Sequence, residues 1–370
     1  QSPVKAIVDR KIDKIRVYVG GAELMVDTPA LKISGGLLRI EPDPNKNIIR
    51  HLAGFVKVET NAFSLSLLAE YVEFKSGEFS LMAFGVMPVQ MVIGPVMISK
   101  IALGFGYNYG FNKSSPEQLV NNPFLQLLGD ESPSLDNVGS TLVPQPGTNT
   151  VLFGAEVNAF DPLKVLSARL LMIVDSSADV LHLLGLAVLD LSQLTGGDGS
   201  GAPKVKGVIK LGMTGQINQK GIFVDTMVLP GSFLFFKGAE LSGTGALRIW
   251  YTGKHAGDFV FTSGGYHPSF KVPSHYPKEL ERISLSVAID ETILLKAEVY
   301  QAFTNEAIMF GARRNFHIKI KGKGFSAGLE IVAQFDAILI WVPLSFDLSI
   351  QARIHLQLKI GKGYFSKTFT

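Results

Sequence analysis

Residues Phe346 to Ile360 alternate without a break. Phe346, Leu348, Ile350, Ala352, Ile354, Leu356, Leu358 and Ile360 share one parity, and Asp347, Ser349, Gln351, Arg353, His355, Gln357 and Lys359 the other. A period of two belongs to an extended strand, whose successive side chains point to opposite faces, and no helix reproduces it. The run amounts to one strand of about 15 residues, roughly 50 Å at 3.3 Å per residue, where ordinary strands span about 5–6. A strand of that length needs neighbours of similar length to satisfy its backbone.

The sequence supplies them. Phe325 to Trp341 alternates over a similar span, and Ile283–Ile289, Ile293–Phe303 and Ile308–Ile320 do likewise. Breaks fall on turn-forming residues at Asp290-Glu291, Thr304-Asn305 and Lys321-Gly322-Lys323-Gly324, and Pro343 marks a bend. Connections this short join antiparallel strands, because parallel pairs need long crossovers. Upstream, Ile33–Ile40, Leu52–Thr60, Ser64–Phe74, Phe79–Val86 and Ile98–Tyr107 read as strands, followed by Ala168–Val174 and Val180–Leu189. Past a glycine-rich break at Thr195–Pro203 come Val205–Gly215, Ile222–Leu229, Leu234–Leu241 and Ala246–Tyr251. Ser115-Pro116-Glu117 opens one helix that runs to Leu128, with Ser115 as N-cap, Pro116 at the first helical position and Gly129 as terminator. The expected fold is all-β. Long-stranded antiparallel meander sheets pack or roll into an elongated sandwich, prism or groove, with one short helix at about 115–128. Residues 1–130 form an N-terminal β-rich part ending in that helix, 131–150 a loop, and 151–370 the long-stranded part. The whole reads as one continuous β architecture and a piece of a longer chain.

Composition enters as an excess to be explained. Apolar residues make up 46% and charged residues 18%, against about 25% charged in ordinary domains. A membrane span is the first explanation to test. Phe79–Ser99 carries no charge, but Pro88 and Pro95 interrupt it, and an interior proline costs a helix roughly 3 kcal/mol. Two short buried strands joined at the prolines fit better. The clearest strands exceed the about 9–11 residues of a transmembrane barrel strand, and no aromatic girdle recurs. The chain therefore reads as non-spanning. One face of each long strand is expected to be covered in a packed interior.

The absence of cysteine excludes disulfides, thiolate metal sites and cysteine nucleophiles. It fits an extracytoplasmic or secreted chain better than a cytosolic enzyme. A net charge of +3 does not argue for nucleic acid. Arg313 to Thr370 holds nine Lys or Arg against three acids, yet the cations fall mainly opposite the apolar parity, as on a solvated outer face. No Gly-x-Ser-x-Gly elbow, His-Glu-x-x-His, Walker loop or acidic calcium loop occurs. No cofactor is expected.

Two segments stand out. Gly264-Gly265-Tyr266-His267-Pro268-Ser269-Phe270 is followed by Val272-Pro273-Ser274-His275-Tyr276-Pro277. His267 and His275 are weak candidates for a metal site or an acid–base pair, with Asp258 and Glu279 the closest acids in sequence. Hydrogen-bonding plugs between unusual backbone turns are the plainer reading. Gly104-Phe105-Gly106-Tyr107-Asn108-Tyr109-Gly110 lacks the dinucleotide spacing and reads as a strand end, where Tyr107, Asn108 and Tyr109 can face a ligand.

The block Gly238-Ala239-Glu240-Leu241-Ser242-Gly243, Ala246-Leu247-Arg248-Ile249-Trp250 and the Gly-Gly-Tyr-His-Pro-Ser-Phe stretch resemble the DUF6603 family, large and mostly bacterial proteins of unknown function. Gly104–Gly110, Asn122–Leu128 and Phe335 through Trp341-Val342-Pro343-Leu344-Ser345-Phe346-Asp347 look similar too, so the resemblance covers roughly residues 50–360. Val342 departs from it, since a basic residue is expected there. The resemblance implies framework roles for His267, Pro268, Trp341 and Pro343, and no activity.

Three classes of function follow as expectations. The first is a non-catalytic structural or interaction module, whose apolar sheet faces meet other domains of a longer chain or other subunits. The second is a hydrophobic-ligand or lipid-binding protein with an apolar groove. The third, a carbohydrate-active enzyme on a β-scaffold, wants paired carboxylates that the sequence does not present. Candidate ligand or framework positions are Tyr107, Asn108, Tyr109, Tyr266, His267, His275 and Trp341.

Overall fold

The computed structural model describes residues 16–18, 21–41, 47–133, 135–159, 165–192, 206–289, 292–323, 325–360 and 363–370. The expected turns at Asp290-Glu291 and at Gly324, and the break at Thr195–Pro203, lie outside these or largely so. Two compact units form, Gln1–Pro162 with Ser167–Leu186, and Leu163–Leu166 with Ala187–Thr370. No helix among the described residues is long and apolar enough to cross a membrane.

The first unit contains β1 (Arg16–Tyr18), β2 (Gly21–Thr28), β3 (Leu31–Arg39), β4 (Ile48–Thr60), β5 (Ser64–Phe74), β6 (Phe79–Ile93), β7 (Val96–Phe111) and β8 (Leu142–Ala159), with most of β9 (Leu166–Asp175) and β10 (Val180–Asp190). From β1 to β8 each strand pairs antiparallel with the next. The span Phe79–Ser99 is thus one long hairpin rather than two short buried strands. It turns at Gly94-Pro95 alone, and Pro88 stays inside β6, past the last residue paired with β5 and beside a register shift against β7, as prolines within strands do. Its tip is open: Met91, Val92 and Ile93 are exposed.

The segment between β7 and β8 crosses one face of this sheet. Where one helix was expected over 115–128 it holds two, and a further 3-10 turn covers Leu135–Ser140. A 3-10 turn covers Pro116–Asn121 and α1 covers Pro123–Leu128. Pro123 disfavours helical backbone in the residue before it, so the single expected helix breaks at Asn122. Asn122 then caps α1, accepting from Phe124 N and Leu125 N at 3.1 Å. The expected 131–150 loop is also corrected, because β8 already begins at Leu142 and pairs through Pro144. Phe124, Leu125 and Leu128 pack onto Leu68, Phe84 and Leu152, with Phe84 and Phe124 edge-on at 5.1 Å. Buried Lys100 of β7 donates to Leu128 O at 2.7 Å and meets Glu156 at 3.0 Å, fixing the end of α1 to the sheet.

The second unit contains β11 (Gly207–Asn218), β12 (Gly221–Val228), β13 (Phe233–Leu234), β14 (Ala239–Ser242), β15 (Thr244–Trp250), β16 (Phe259–Ser263), β17 (Ile283–Ala288), β18 (Ile293–Thr304), β19 (Ala307–Gly322), β20 (Phe325–Trp341), β21 (Leu344–Ile360) and β22 (Gly363–Phe369). Leu234–Leu241, expected as one strand, is instead the hairpin β13–β14, because Phe235 at φ 71° turns the chain. The short strands combine into composite ones. β11 takes both β12 and β13 as neighbours, β15 and β14 lie beyond them, and β16 and β17 beyond those. β18 then pairs with β16 through Gln301–Thr304 and with β17 through Leu294–Val299. From β18 to β22 the meander continues strand by strand. Residues 264–282 are therefore an excursion that leaves a composite strand after β16 and re-enters it at β17.

Register assigns the faces. Phe303, Ile308, Leu339 and Phe346 form one cross-strand row, and Leu295, Phe316, Ile331, Ile354 and Phe369 another on the same face. Ala302, Met309 and Ile338 form a row on the opposite face. That opposite face carries the core, where Trp250, Val260, Tyr266, Tyr276, Tyr300, Met309 and Ile338 pack beneath the excursion. It also carries Arg313, Lys319, Lys321, Arg353 and Lys359, as the alternation predicts. The apolar face behaves differently from expectation. Among the described residues nothing covers it along β21, where Phe346 is 63% and Ile350 75% exposed. The excursion lies against the other face.

Candidate functional site

The excursion begins with two residues at positive φ, Gly264 at 79° and Gly265 at 97°. A Cβ on Gly264 would stand 2.6 Å from Val299 O, so only glycine turns the chain off the sheet there. Thr262 Oγ1 donates to Gly265 O at 2.8 Å and fixes the departure. His267 follows, buried. Its Nδ1 accepts from Ser269 N at 3.2 Å and meets Ser269 Oγ at 2.8 Å, which leaves the ring proton on a buried Nε2 with no partner among the described residues. Tyr266 packs on Phe270 at 5.7 Å, and burial first of all raises its phenol well above the usual range. Its carbonyl accepts from Arg282 Nη2 at 3.1 Å at the far end of the excursion.

His275 is placed elsewhere than His267. Its Nε2 lies 2.9 Å from Asp258 Oδ2, and His255 Nδ1 lies 3.6 Å from the same oxygen. His255 and Asp258 come from the tight turn between β15 and β16, closed by Gly257 N to Trp250 O at 2.9 Å and Asp258 N to His255 O at 3.0 Å. The two imidazoles stack at 3.6 Å between centroids and 16° between planes. Trp250 stands edge-on to His275 at 4.8 Å and stacks on Tyr276 at 5.6 Å. Asp258 Oδ1 accepts from Asn305 Nδ2 at 3.1 Å, and Asn305 Oδ1 accepts from Tyr276 OH at 2.9 Å. Burial, then the charges of Asp258 and Glu306, push the Tyr276 phenol up to about 12. One nitrogen from each imidazole and one Asp258 oxygen all lie within 4.8 Å of one another, a set of donors that a metal ion can use. His255 did not stand out in the sequence. The spacing His255-x-x-Asp258 was the available signal, and without the fold it pointed at nothing.

At the far end of the excursion, around Arg282, lies a polar recess of about 190 Å³ lined by Arg282, Glu298, Tyr300, Arg313, Gln334 and Asp336. Burial lowers the Arg282 guanidinium below its ordinary range, while Tyr300, Asp336 and Glu298 pull it back up. The remaining sequence candidates are dispersed. Tyr107 lies exposed against Phe79 at 5.4 Å. Asn108 occupies a bulge at φ 55°, and its side chain serves the backbone, donating to Phe79 O and accepting from Gly147 N, both at 2.8 Å. Tyr109 is buried, its hydroxyl held above the ordinary phenol range by burial and then by Glu70. Trp341 ends β20 on the open apolar face at 37% exposure. That face also holds a recess of about 400 Å³ lined by Ile318, Ile320, Leu329, Leu356, Leu358 and Phe365.

Comparison with known families decides the chain's place. The model of a family described as "Family of unknown function (DUF6603)" matches residues 6–370. The chain belongs to the DUF6603 family. No curated protein and no solved structure matches it significantly. Within this DUF6603 chain the Gly-Gly-Tyr-His-Pro segment corresponds to the excursion that builds the second unit's core, with His267 bonded inside it and His275 at its rim.

Proposed function

We propose that this chain is a structural interaction module, which buries its apolar sheet face against protein partners and carries no catalytic centre of its own. The partner is a further domain of a longer polypeptide or another subunit, and it presents an apolar β-surface. The observation that carries this reading is the apolar face of β18–β21, on which Phe303, Phe310, Phe346, Leu348 and Ile350 are exposed, on strands far longer than their single covered end requires. Contiguous exposed apolar surface of this kind marks interaction sites, and two sheets pack face to face at about 10 Å. Each large side chain removed from water contributes roughly 1.5–3 kcal/mol. Arg314 stands within the same stripe, paired with Ala333, so the partner surface carries an acceptor to meet it.

The test is hydroxyl-radical footprinting of the protein at its natural length beside the isolated chain. Phe310 and Phe346 are expected to be protected in the former and labelled in the latter, with exposed Tyr251 labelled in both. Equal labelling of Phe310 and Phe346 in the two preparations overturns the reading. The recess of about 400 Å³ favours a second reading, in which an acyl chain or other apolar small molecule lies on the face. Native mass spectrometry separates the two, since a co-purifying lipid whose extraction exposes Phe346 supports the second and not the first.

A further inference from the structure

We propose that His255, Asp258 and His275 bind one divalent transition-metal ion of the zinc class. The claim is independent of what covers the apolar face. Two imidazole nitrogens with one carboxylate oxygen make a borderline donor set. Such a set suits Zn²⁺ and its neighbours, whereas Ca²⁺ and Mg²⁺ collect oxygen alone. For bonds of about 2.0–2.2 Å, tetrahedral ligand atoms stand roughly 3.3–3.6 Å apart. The separations from Asp258 Oδ2 are 2.9 Å to His275, just short of that range, and 3.6 Å to His255, at its upper end, and all three ligand atoms lie within 4.8 Å of one another.

As a hydrogen-bond network the cluster is incomplete. The 3.6 Å approach of His255 Nδ1 is too long for a hydrogen bond. As a coordination set it needs a slight opening of the 2.9 Å His275–Asp258 contact and a rotation of the His255 ring, which unstacks it from His275 and turns its lone pair to the ion. His255 sits in an accessible turn, its side chain 32% exposed, so that rotation meets little resistance. The supporting shell is already built. Asn305 holds the second Asp258 oxygen, Tyr276 holds Asn305, and Trp250 backs the His275 ring. Ligand orientation by such outer partners is what metal centres require. The side chains of Asp258 and His275 are 27% and 17% exposed, so an ion has an entry path and water has room to complete its shell. Bound there, the ion ties the β15–β16 turn to the excursion at His275.

The experiment uses the chain freed of metal by chelator and titrated with Zn²⁺ by calorimetry and with Co²⁺ by visible absorption. One ion per chain is expected, with the d–d bands of a four-coordinate nitrogen and oxygen site. Asp258→Asn and His255→Ala are each expected to weaken binding at least about 10-fold, since even outer-shell losses cost about 10–100-fold. His355→Ala, distant on β21, leaves the affinity unchanged. Affinity also falls as pH is lowered, because protons compete for the imidazoles. His275→Gln is informative only if circular dichroism shows it folded, and His255→Ala carries the test otherwise. Binding that persists at full strength in both His255→Ala and Asp258→Asn, or no binding at millimolar Zn²⁺, overturns the proposal.

Discussion

Tyr300 donates its phenolic hydrogen to Asp336 Oδ1 at 2.9 Å although a whole strand lies between them. Tyr300 is on β18 and Asp336 on β20, and the residue of β19 in register with both is Gly311. A Cβ at Gly311 would meet the Tyr300 ring and stand 2.7 Å from both Asp336 Oδ1 and Phe335 O. The missing side chain is what opens the path. The Arg282 guanidinium lies over the same tyrosine ring at 3.7 Å, so the bond also ties the end of the excursion to the sheet.

Tyr300→Phe is therefore expected to cost about 1–3 kcal/mol, the penalty for leaving a buried acceptor short of its donor. Gly311→Ala is expected to cost about 1–3 kcal/mol as well, through overpacking rather than a lost bond. Combining the two restores part of the loss if both act on one path. Both tryptophans, Trp250 and Trp341, lie in the second unit, so their fluorescence during urea unfolding reports that unit alone. Fully additive losses in the double variant contradict the shared path.

At alkaline pH the buried phenols set the limit. Tyr276 is raised from 10.0 to about 12, by burial first and then by Asp258 and Glu306. A phenol that holds its proton more tightly in the folded state stabilises below the unfolded value and loses that contribution as pH rises from 10 to about 12. The loss is on the order of 2–3 kcal/mol for Tyr276, and Tyr266 and Tyr300 are raised for the same leading reason, burial. Phenolate absorbance and tryptophan fluorescence should change together above pH 10. Smooth ionisation of every tyrosine with unchanged fluorescence would count against this.

On the acid side the sign reverses and the first unit responds. His182 stacks on Phe111 at 3.9 Å, and burial lowers its affinity for a proton, with Asp175 partly compensating. A histidine whose folded pKa is depressed contributes fully above its unfolded value of about 6.5, and the contribution fades as pH drops through the folded value. Amide exchange in β7 and β10 is expected to accelerate between pH 7 and pH 5 after correction for intrinsic rates. His182→Phe keeps a ring against Phe111 and should flatten that dependence. An equal pH response in the variant removes His182 as the cause.

The long strands were legible because period two is a local property: Phe325–Trp341 reads as β20 residue for residue. Composite strands were not. Nothing near Ser263 announces that the ladder resumes at Ile283, because the continuity exists only in the pairing of β18 with both. The site suffered in the same way. His255, Asp258 and His275 meet through a turn and a returning excursion, whereas the sequence named His275 and Asp258 alongside His267, which spends its Nδ1 on Ser269, and gave no sign of His255. Asn122 shows the opposite case, where a local rule about the residue before Pro123 was present and governs the helix break.

Alternation gave both parities of β19–β21 the look of half-buried strands, yet the two faces do not carry equal weight, and mutation separates them. Met309 and Ile338 are 0% and 2% exposed beneath the excursion, so Met309→Ala or Ile338→Ala is expected to cost about 2–5 kcal/mol. Ile350 and Phe346 are 75% and 63% exposed on the other face. Ile350→Ser or Phe346→Ser in the isolated chain should shift stability by no more than about 0.5 kcal/mol, as surface changes do. The same serines should lower the binding of a hydrophobic dye and raise the concentration at which the chain self-associates. Tryptophan-monitored urea midpoints give the first comparison and sedimentation the second. A loss of several kcal/mol from Ile350→Ser would mean that the stripe is already covered within the chain, and the apolar face would then be core rather than a surface awaiting a partner.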